Sequence, residues 1–197
     1  MNAVGKKQVV VIAGPSGSGK NTILQELLKR EKNYARLITA TTRAKRDGER
    51  DGVDYIFLSE KDFKQGLQDG TIPEHRFIPA LGTYYGIYLP NLERQLASGQ
   101  VVFAQVDVIG ARLLKEKYNA TTIFIMPASL KEFENRVRAR NPKMSSSELA
   151  ERMRIANVEM NEHAPEYDYR IQNADGKLQE AVDEVVEILR REGYNLK

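Results

Sequence analysis

Three glycines and a lysine at fixed spacing constrain this chain more than any other feature. Gly14-Pro15-Ser16-Gly17-Ser18-Gly19-Lys20 fits the pattern G-x-x-x-x-G-K. Residues 8–13 before it form an apolar run of strand type. Ile23, Leu24, Leu27 and Leu28 after it recur at helical spacing. Strand, glycine turn and helix in that order are the setting this loop requires. The glycines let successive backbone N–H groups converge on phosphate oxygens, and the helix N-terminus adds partial positive charge. Lys20 places a mobile point charge on the β- and γ-phosphates of a bound nucleoside triphosphate. The loop departs from its pattern at one place. The residue after the lysine is usually Ser or Thr, whose hydroxyl ligates Mg²⁺; here it is Asn21, with Thr22 next. The amide oxygen of Asn21 is a weak candidate metal ligand, and a helix-capping role stands beside that reading.

The rest of the chain is read around this loop. Its 197 residues suit one domain, or one core with insertions. No apolar run approaches the ~18 residues needed to span a membrane, and residues 1–8 lack the apolar region of a secretion signal. The absence of cysteine excludes disulfides and thiolate metal sites. A cytoplasmic protein with no membrane partner is expected. A net charge of +3 is too mild to imply a nucleic acid polymer. The arginines instead gather at 43–50 and 136–154, which suits a compact polyanion such as a nucleotide phosphate. Further strands are expected at 101–108, 121–126 and 169–172. Helices are expected near 111–117 and over 178–191, the latter with Leu178, Val182, Val185 and Leu189 on one face and Gly193 after its end. Strands alternating with helices predict a parallel sheet covered on both faces.

Two segments break that rhythm. Residues 39–88 hold short alternating runs and one short helix, with a capping box from Ser59 to Asp62, and read as a small mixed insertion. Residues 130–162 read as helical, interrupted at Asn141-Pro142, with Leu130, Phe133 and Val137 on one face and Arg136 and Arg140 four apart on another. The implied division is core 1–38, insertion 39–88, core 89–129, lid 130–162 and core 163–197. The stretch Thr39-Ala40-Thr41-Thr42-Arg43-Ala44-Lys45-Arg46-Asp47-Gly48-Glu49 is able to hold a phosphate through the guanidinium forks of Arg43 and Arg46; taken alone it is equally a solvated basic loop. His75 and His163 are isolated, and Asp51 and Asp54 sit in a turn without a partner at fixed spacing.

Taken in order, these motifs resemble the guanylate kinase family nearly end to end. The phosphate loop matches, as does Thr-Thr-Arg-x-x-Arg-x-Gly-Glu at 41–49. Gly52-Val53-Asp54-Tyr55, Glu74-His75 and Tyr84-Tyr85-Gly86 are similar to its acceptor segments. Asp107, the lid arginines Arg136, Arg140 and Arg152, and Glu166-Tyr167-Asp168-Tyr169 with Asn173 match its later ones. The resemblance implies an α/β fold: a three-layer P-loop kinase core with a parallel sheet, a small mixed α+β acceptor insertion and a helical lid. It implies transfer of the γ-phosphate of ATP to GMP, with Mg²⁺ accompanying ATP. Gly14 to Thr22 and Asn173 would bind ATP. Arg43, Arg46, Tyr55 and Tyr85 would hold the GMP phosphate, while Thr39, Glu74 and Asp107 would read guanine. Lys20, Arg136, Arg140 and Arg152 would stabilise the transferring group. Guanine offers N1–H and a 2-amino group as adjacent donors, which an ionised carboxylate accepts and adenine cannot satisfy. Four positions depart from the family pattern besides Asn21: Gln105 replaces an acid, Ile87 a small hydroxyl residue and Asn141 a glycine, and the segment 77–82, with Pro79, is about two residues longer. Two other readings follow from them, a P-loop kinase for another phosphorylated acceptor such as a sugar bisphosphate, and a binding module weakened in catalysis.

Overall fold

The apolar run before the phosphate loop is a strand, β1 (Val9–Ala13), and all five of its residues are buried. In this computed structural model, which describes residues 7–196, β1 is the centre of a five-stranded sheet. Its other strands are β2 (Tyr34–Arg36), β7 (Val101–Ala104), β8 (Thr121–Pro127) and β9 (Tyr169–Asn173). The order is β2-β7-β1-β8-β9 and every pairing is parallel. A central parallel strand must bury both faces, and the side-chain period of two divides β1 between two cores. Val10 and Ile12 join Ile23, Leu24 and Leu27 of α1 (Lys20–Arg30) and Val182, Val185 and Leu189 of α7 (Leu178–Arg191). Val9, Val11 and Ala13 join Leu92 of α3 (Leu89–Ala97) and Ala111 and Leu114 of α4 (Val108–Tyr118) on the other face. This is the α/β three-layer core that the alternation of strands and helices predicts.

Two smaller bodies sit beyond the carboxyl edge of the sheet. The first is a mixed four-stranded sheet of order β4-β3-β6-β5, made of β3 (Ala40–Thr41), β4 (Ile56–Phe57), β5 (His75–Ile78) and β6 (Thr83–Gly86). It packs on α2 (Glu60–Asp69) through Ala40, Phe63 and Ile72. Ser59 caps α2, its Oγ accepting from the Asp62 N–H at 3.1 Å and donating to the Asp62 carboxylate at 2.6 Å. The second is a helix pair, α5 (Leu130–Arg140) and α6 (Ser146–Val158), that shares the core of Phe133, Val137, Leu149 and Ala156. The chain breaks between them at Asn141-Pro142, and a full capping box between Ser145 and Glu148 starts α6. A single π-helical turn, Glu159–His163, follows α6.

The strand expected over 101–108 is shorter than the sequence suggests. β7 ends at Ala104, and Asp107 caps α4, its Oδ1 accepting from the N–H groups of Ile109 and Gly110 at 3.1 Å each. Val106 and Val108 are apolar because they pack on the α3–α4 core, not because the strand continues. Two elements have no counterpart in the sequence reading. β2 has only three residues at the sheet edge, and α3 opens on Leu89-Pro90, a helix start carrying the proline it tolerates. Residues 1–6, part of the polar start, lie outside the described residues.

The C-terminal segment fastens the sheet. The hydroxyl of buried Tyr194 donates to the Val9 carbonyl at 2.5 Å and accepts from the Thr121 N–H at 3.1 Å, bridging β1 and β8 at their amino ends. Removing that hydroxyl leaves a buried N–H without a partner, a loss of about 1–3 kcal/mol. We predict that Tyr194→Phe lowers unfolding stability by that amount, measured by urea denaturation, with an unchanged m-value.

Candidate functional site

The phosphate loop is shaped by two close approaches. Gly14, Gly17 and Gly19 all have positive φ. At Gly14 a Cβ would lie 2.3 Å from the Ile125 carbonyl oxygen, and at Gly19 it would lie 2.1 Å from the amide nitrogen of Asn173. Only glycine fits either place. Asn173 ends β9, is buried, and donates from Nδ2 to the Ser18 carbonyl at 2.9 Å. The residue that the family resemblance gives to ATP therefore also braces the loop from behind. Helix α1 starts at Lys20 with Gly19 as its N-cap, no side-chain cap and no acid in its first turn. Its free N–H groups and dipole are left for an anion. Asn21 does not cap the helix; its Oδ1 accepts from Gln105 Nε2 at 3.0 Å. The Lys20 ammonium lies 3.2 Å from the Pro15 carbonyl. Burial pushes its pKa below the ordinary lysine value; the carboxylate of Glu159 opposes that shift and Arg140 adds to it.

Two cavities meet at this loop. One of roughly 470 Å³ is lined by Ser16, Gly17, Gly19, Lys20, Asn21, Thr22, Asn173, Arg136 and Arg140. Arg136 is fixed there, its Nε donating to Asp175 at 2.7 Å and its Nη2 to the Asn173 carbonyl at 2.8 Å. Phe133 and Val137, one turn apart on the same helix, sit over Gly17. Arg152 is exposed on α6 and lines neither this cavity nor the next.

The second cavity, of roughly 430 Å³, lies between the core and the small mixed sheet. It brings Thr39, Tyr55, Glu74, Tyr85 and Asp107 together with Gly14, Ser16 and Lys20. Glu74 receives the Ile87 N–H on Oε1 at 3.0 Å. Burial pushes its carboxyl pKa up to about 7; the Ile87 hydrogen bond pulls against the shift and the charge of Asp107 adds to it. Ile87 contributes backbone alone, because its side chain is fully buried in the core with Leu92 and Ala111. The arginine loop stands at the rim. Glu49 grips both terminal nitrogens of Arg43, at 2.7 and 3.0 Å, and receives the Arg46 N–H at 2.8 Å. The Arg43 guanidinium lies over the rings of Tyr55 and Phe57, 5.5 and 5.7 Å from their centroids. The Arg46 side chain is exposed.

Three charged residues of the site escape the sequence reading. Glu49 sits inside the Thr/Arg motif, and only its position six residues after Arg43 hinted at a pair. Arg76 of β5 faces the cleft as does Glu74, the residue just before the strand, while His75 and Phe77 face Tyr84 on the other side; strand alternation counted from Glu74 would have found it. Glu159 lines the second cavity with Lys20 and Arg76, and burial raises its pKa against the pull of Lys20, His163 and Arg76. It is placed there by the π-helical turn, which leaves no trace in side-chain periodicity.

The sequence profile of the guanylate kinase family matches residues 6–192. The chain is 36% identical over 188 residues to a guanylate kinase of Synechocystis, with 95% of each chain covered. It is 39% identical over 185 residues to one of Histophilus somni, covering 92% of this chain and 86% of that one. The solved structure of guanylate kinase from Anaplasma phagocytophilum is similar with a TM-score of 0.68 at 30% identity, covering 95% of this chain and 86% of the other.

The raised pKa of Glu74 makes a testable demand on stability. The native state holds this proton more tightly than the unfolded chain, so the contribution of Glu74 is fully present below about pH 4.5 and is lost as pH rises to about 7. Glu74→Gln removes that loss. We predict that the variant gains on the wild type by up to roughly 3 kcal/mol between pH 4.5 and 7.5, read as the difference in urea-unfolding free energy at the two pH values. A pH-independent difference would contradict it.

Proposed function

The chain belongs to the guanylate kinase family, and from that premise we propose that it is an ATP-dependent nucleoside monophosphate kinase that transfers the γ-phosphate of ATP to GMP, giving ADP and GDP. The observation that carries the acceptor is the meeting of Thr39, Glu74 and Asp107 in one cleft with Lys20. Guanine presents two adjacent donors, N1–H and the 2-amino group. A half-buried carboxylate already oriented by the Ile87 N–H is a geometric match for them. An adenine there would face the carboxylate with a lone pair and leave it unpaired, a penalty able to separate substrates by up to about 10⁴–10⁵.

We assign residues 39–88 to the acceptor lobe, 130–162 to the lid and the rest to the core. ATP takes the cavity under Arg136 and Arg140, its β- and γ-phosphates on the uncapped start of α1 and on Lys20. The phosphate of GMP takes the rim where Glu49 holds Arg43 over Tyr55, with Arg46 and Tyr85 beside it. The acceptor phosphate is already a nucleophile, so transfer needs positioning and charge stabilisation, not a general base. An oxygen of GMP attacks the γ-phosphorus, the bond to the ADP oxygen breaks, and Lys20 with the lid arginines stabilises the charge that moves to the equatorial oxygens. Arg152 joins only with a movement of α6 toward the loop.

Kinases of this class generally work with a divalent metal, and we assign Mg²⁺ as its identity. The protein offers that ion a poor seat. The oxygen of Asn21 is engaged by Gln105, and among the described residues no group of three or more His, Cys, Asp or Glu side chains converges. No helix among the described residues is long and apolar enough to cross a membrane, and we assign the protein to the cytoplasm, with ATP and GMP as its partners.

Coupled ADP-release assays over a panel of nucleoside monophosphates and sugar phosphates test the acceptor. GMP is expected to be the preferred acceptor by at least about 10²-fold; turnover with another acceptor and none with GMP would overturn the assignment. Glu74→Gln is expected to cut GMP turnover far more than ATP affinity, and the KM for GMP should rise as pH falls below about 7, because the protonated acid loses its acceptor. Lys20→Ala is expected to lower kcat by about 10²-fold or more with folding intact.

A further inference from the structure

We infer that this enzyme holds no metal ligand of its own at the triphosphate, and that the amide pair Asn21–Gln105 makes its nucleotide affinity nearly indifferent to the metal. The inference rests on the assignment of the first cavity to ATP. In P-loop enzymes the ion is held by the hydroxyl following the loop lysine and by an acid reached from a neighbouring strand. The two corresponding places in this chain are Asn21, directly after Lys20, and Gln105, directly after β7, which pairs with β1. They are 84 residues apart in the chain and bonded to each other at 3.0 Å. Asn21 lines the first cavity and Gln105 the second, so the bond joins the walls of the two cavities.

The chemistry of the pair does not fit the ion. Mg²⁺ sheds water reluctantly and is ordinarily held by one or two carboxylates plus substrate phosphates. Two amides supply no charge, and exchanging the ends of either amide leaves the pair equally neutral. The acids lining the two cavities do not replace what is missing. Asp175, in the first, is paired with Arg136, and Glu74, in the second, accepts the Ile87 N–H. Asp107 uses Oδ1 to cap α4, and Glu159 is set among the cations Lys20 and Arg76. The metal is thus carried by the phosphates and its own water, and it arrives and leaves with the nucleotide. What the pair does supply is a tie between the first turn of α1 and the start of the loop leading to Asp107, so the N–H cradle and the base-reading acid keep one register without an ion between them.

Calorimetric titration with a β,γ-imido analogue of ATP, in EDTA and again in excess Mg²⁺, tests this without turnover. The wild type is expected to bind with dissociation constants within about threefold of each other. Asn21→Ser combined with Gln105→Asp is expected to raise the preference for the Mg²⁺ complex by at least about tenfold, chiefly by weakening binding in EDTA, where the new carboxylate repels the bare triphosphate. A wild-type preference of tenfold or more, or a double variant whose ratio stays at the wild-type value, overturns the inference. If the double variant does not fold, the wild-type ratio still decides, and Gln105→Glu alone gives the second comparison. A loss of tight binding to the analogue under both conditions would instead defeat the ATP assignment, and absent GMP turnover would defeat the acceptor assignment alone.

Discussion

The amide of Asn173 reaches the Ser18 carbonyl at 2.9 Å across a position where any side chain at residue 19 would collide with it. That contact fixes the phosphate loop against the end of β9, two strands away from β1 in the sheet. The same residue offers its carbonyl to Arg136, so α5 is referenced to the strand end that shapes the loop. Phe133 and Val137 complete the arrangement from above by resting on Gly17. Loop, α5 and sheet thus share one fixed point. The cost is strict: glycine at 14, 17 and 19, each in the left-handed region or beyond it.

Burial sets the electrostatics around this point, and it acts on both signs of charge. It lowers the proton affinity of Lys20 and raises that of Glu74 and Glu159. Each of these groups is held in an environment that disfavours its charged form until a partner arrives. On the proposed function a triphosphate would be that partner for Lys20, and the paired donors of guanine would be that partner for Glu74. The exposed ion pairs elsewhere, such as Arg154 with Glu151 and Arg138 with Glu134, contribute little by comparison because solvent screens them. Binding energy is concentrated where desolvation has already been incurred.

The sequence is most readable where chain geometry leaves no alternative. The phosphate loop, α1, α7 and the buried strands carry their glycines and apolar periods openly. It is least readable where one residue serves two structures. Asp107 is legible as an acid near a strand end, but its capping of α4 depends on where β7 stops, and the apolar Val106 and Val108 obscure that boundary. Ile87 reads as the loss of a hydroxyl. In the fold its side chain belongs to the core and its N–H to Glu74, so what the cleft takes from 87 is a backbone N–H that every residue but proline supplies. Asn21 and Gln105 read as two separate departures and become one feature only when the fold bonds them. Glu159 depends on a π-helical turn that no local rule announces.

The anchoring of Ile87 has a mechanical consequence. Residues 39–88, proposed as the acceptor lobe, join the core through two crossings. One is at 37–39, where the Leu37 N–H is held by the Phe103 carbonyl and the Ile38 N–H by Asn91; the other is at Ile87, rooted in the core. Any rigid rotation of the lobe turns about a line through these crossings. Glu74 is bonded to the Ile87 N–H, at one of these crossings, whereas Arg46 stands exposed on the rim loop with Arg43. On the proposed function the base would be read beside this anchored crossing and the phosphate held at the rim, so recognition of the acceptor and its delivery for transfer would fall to different parts of one small sheet.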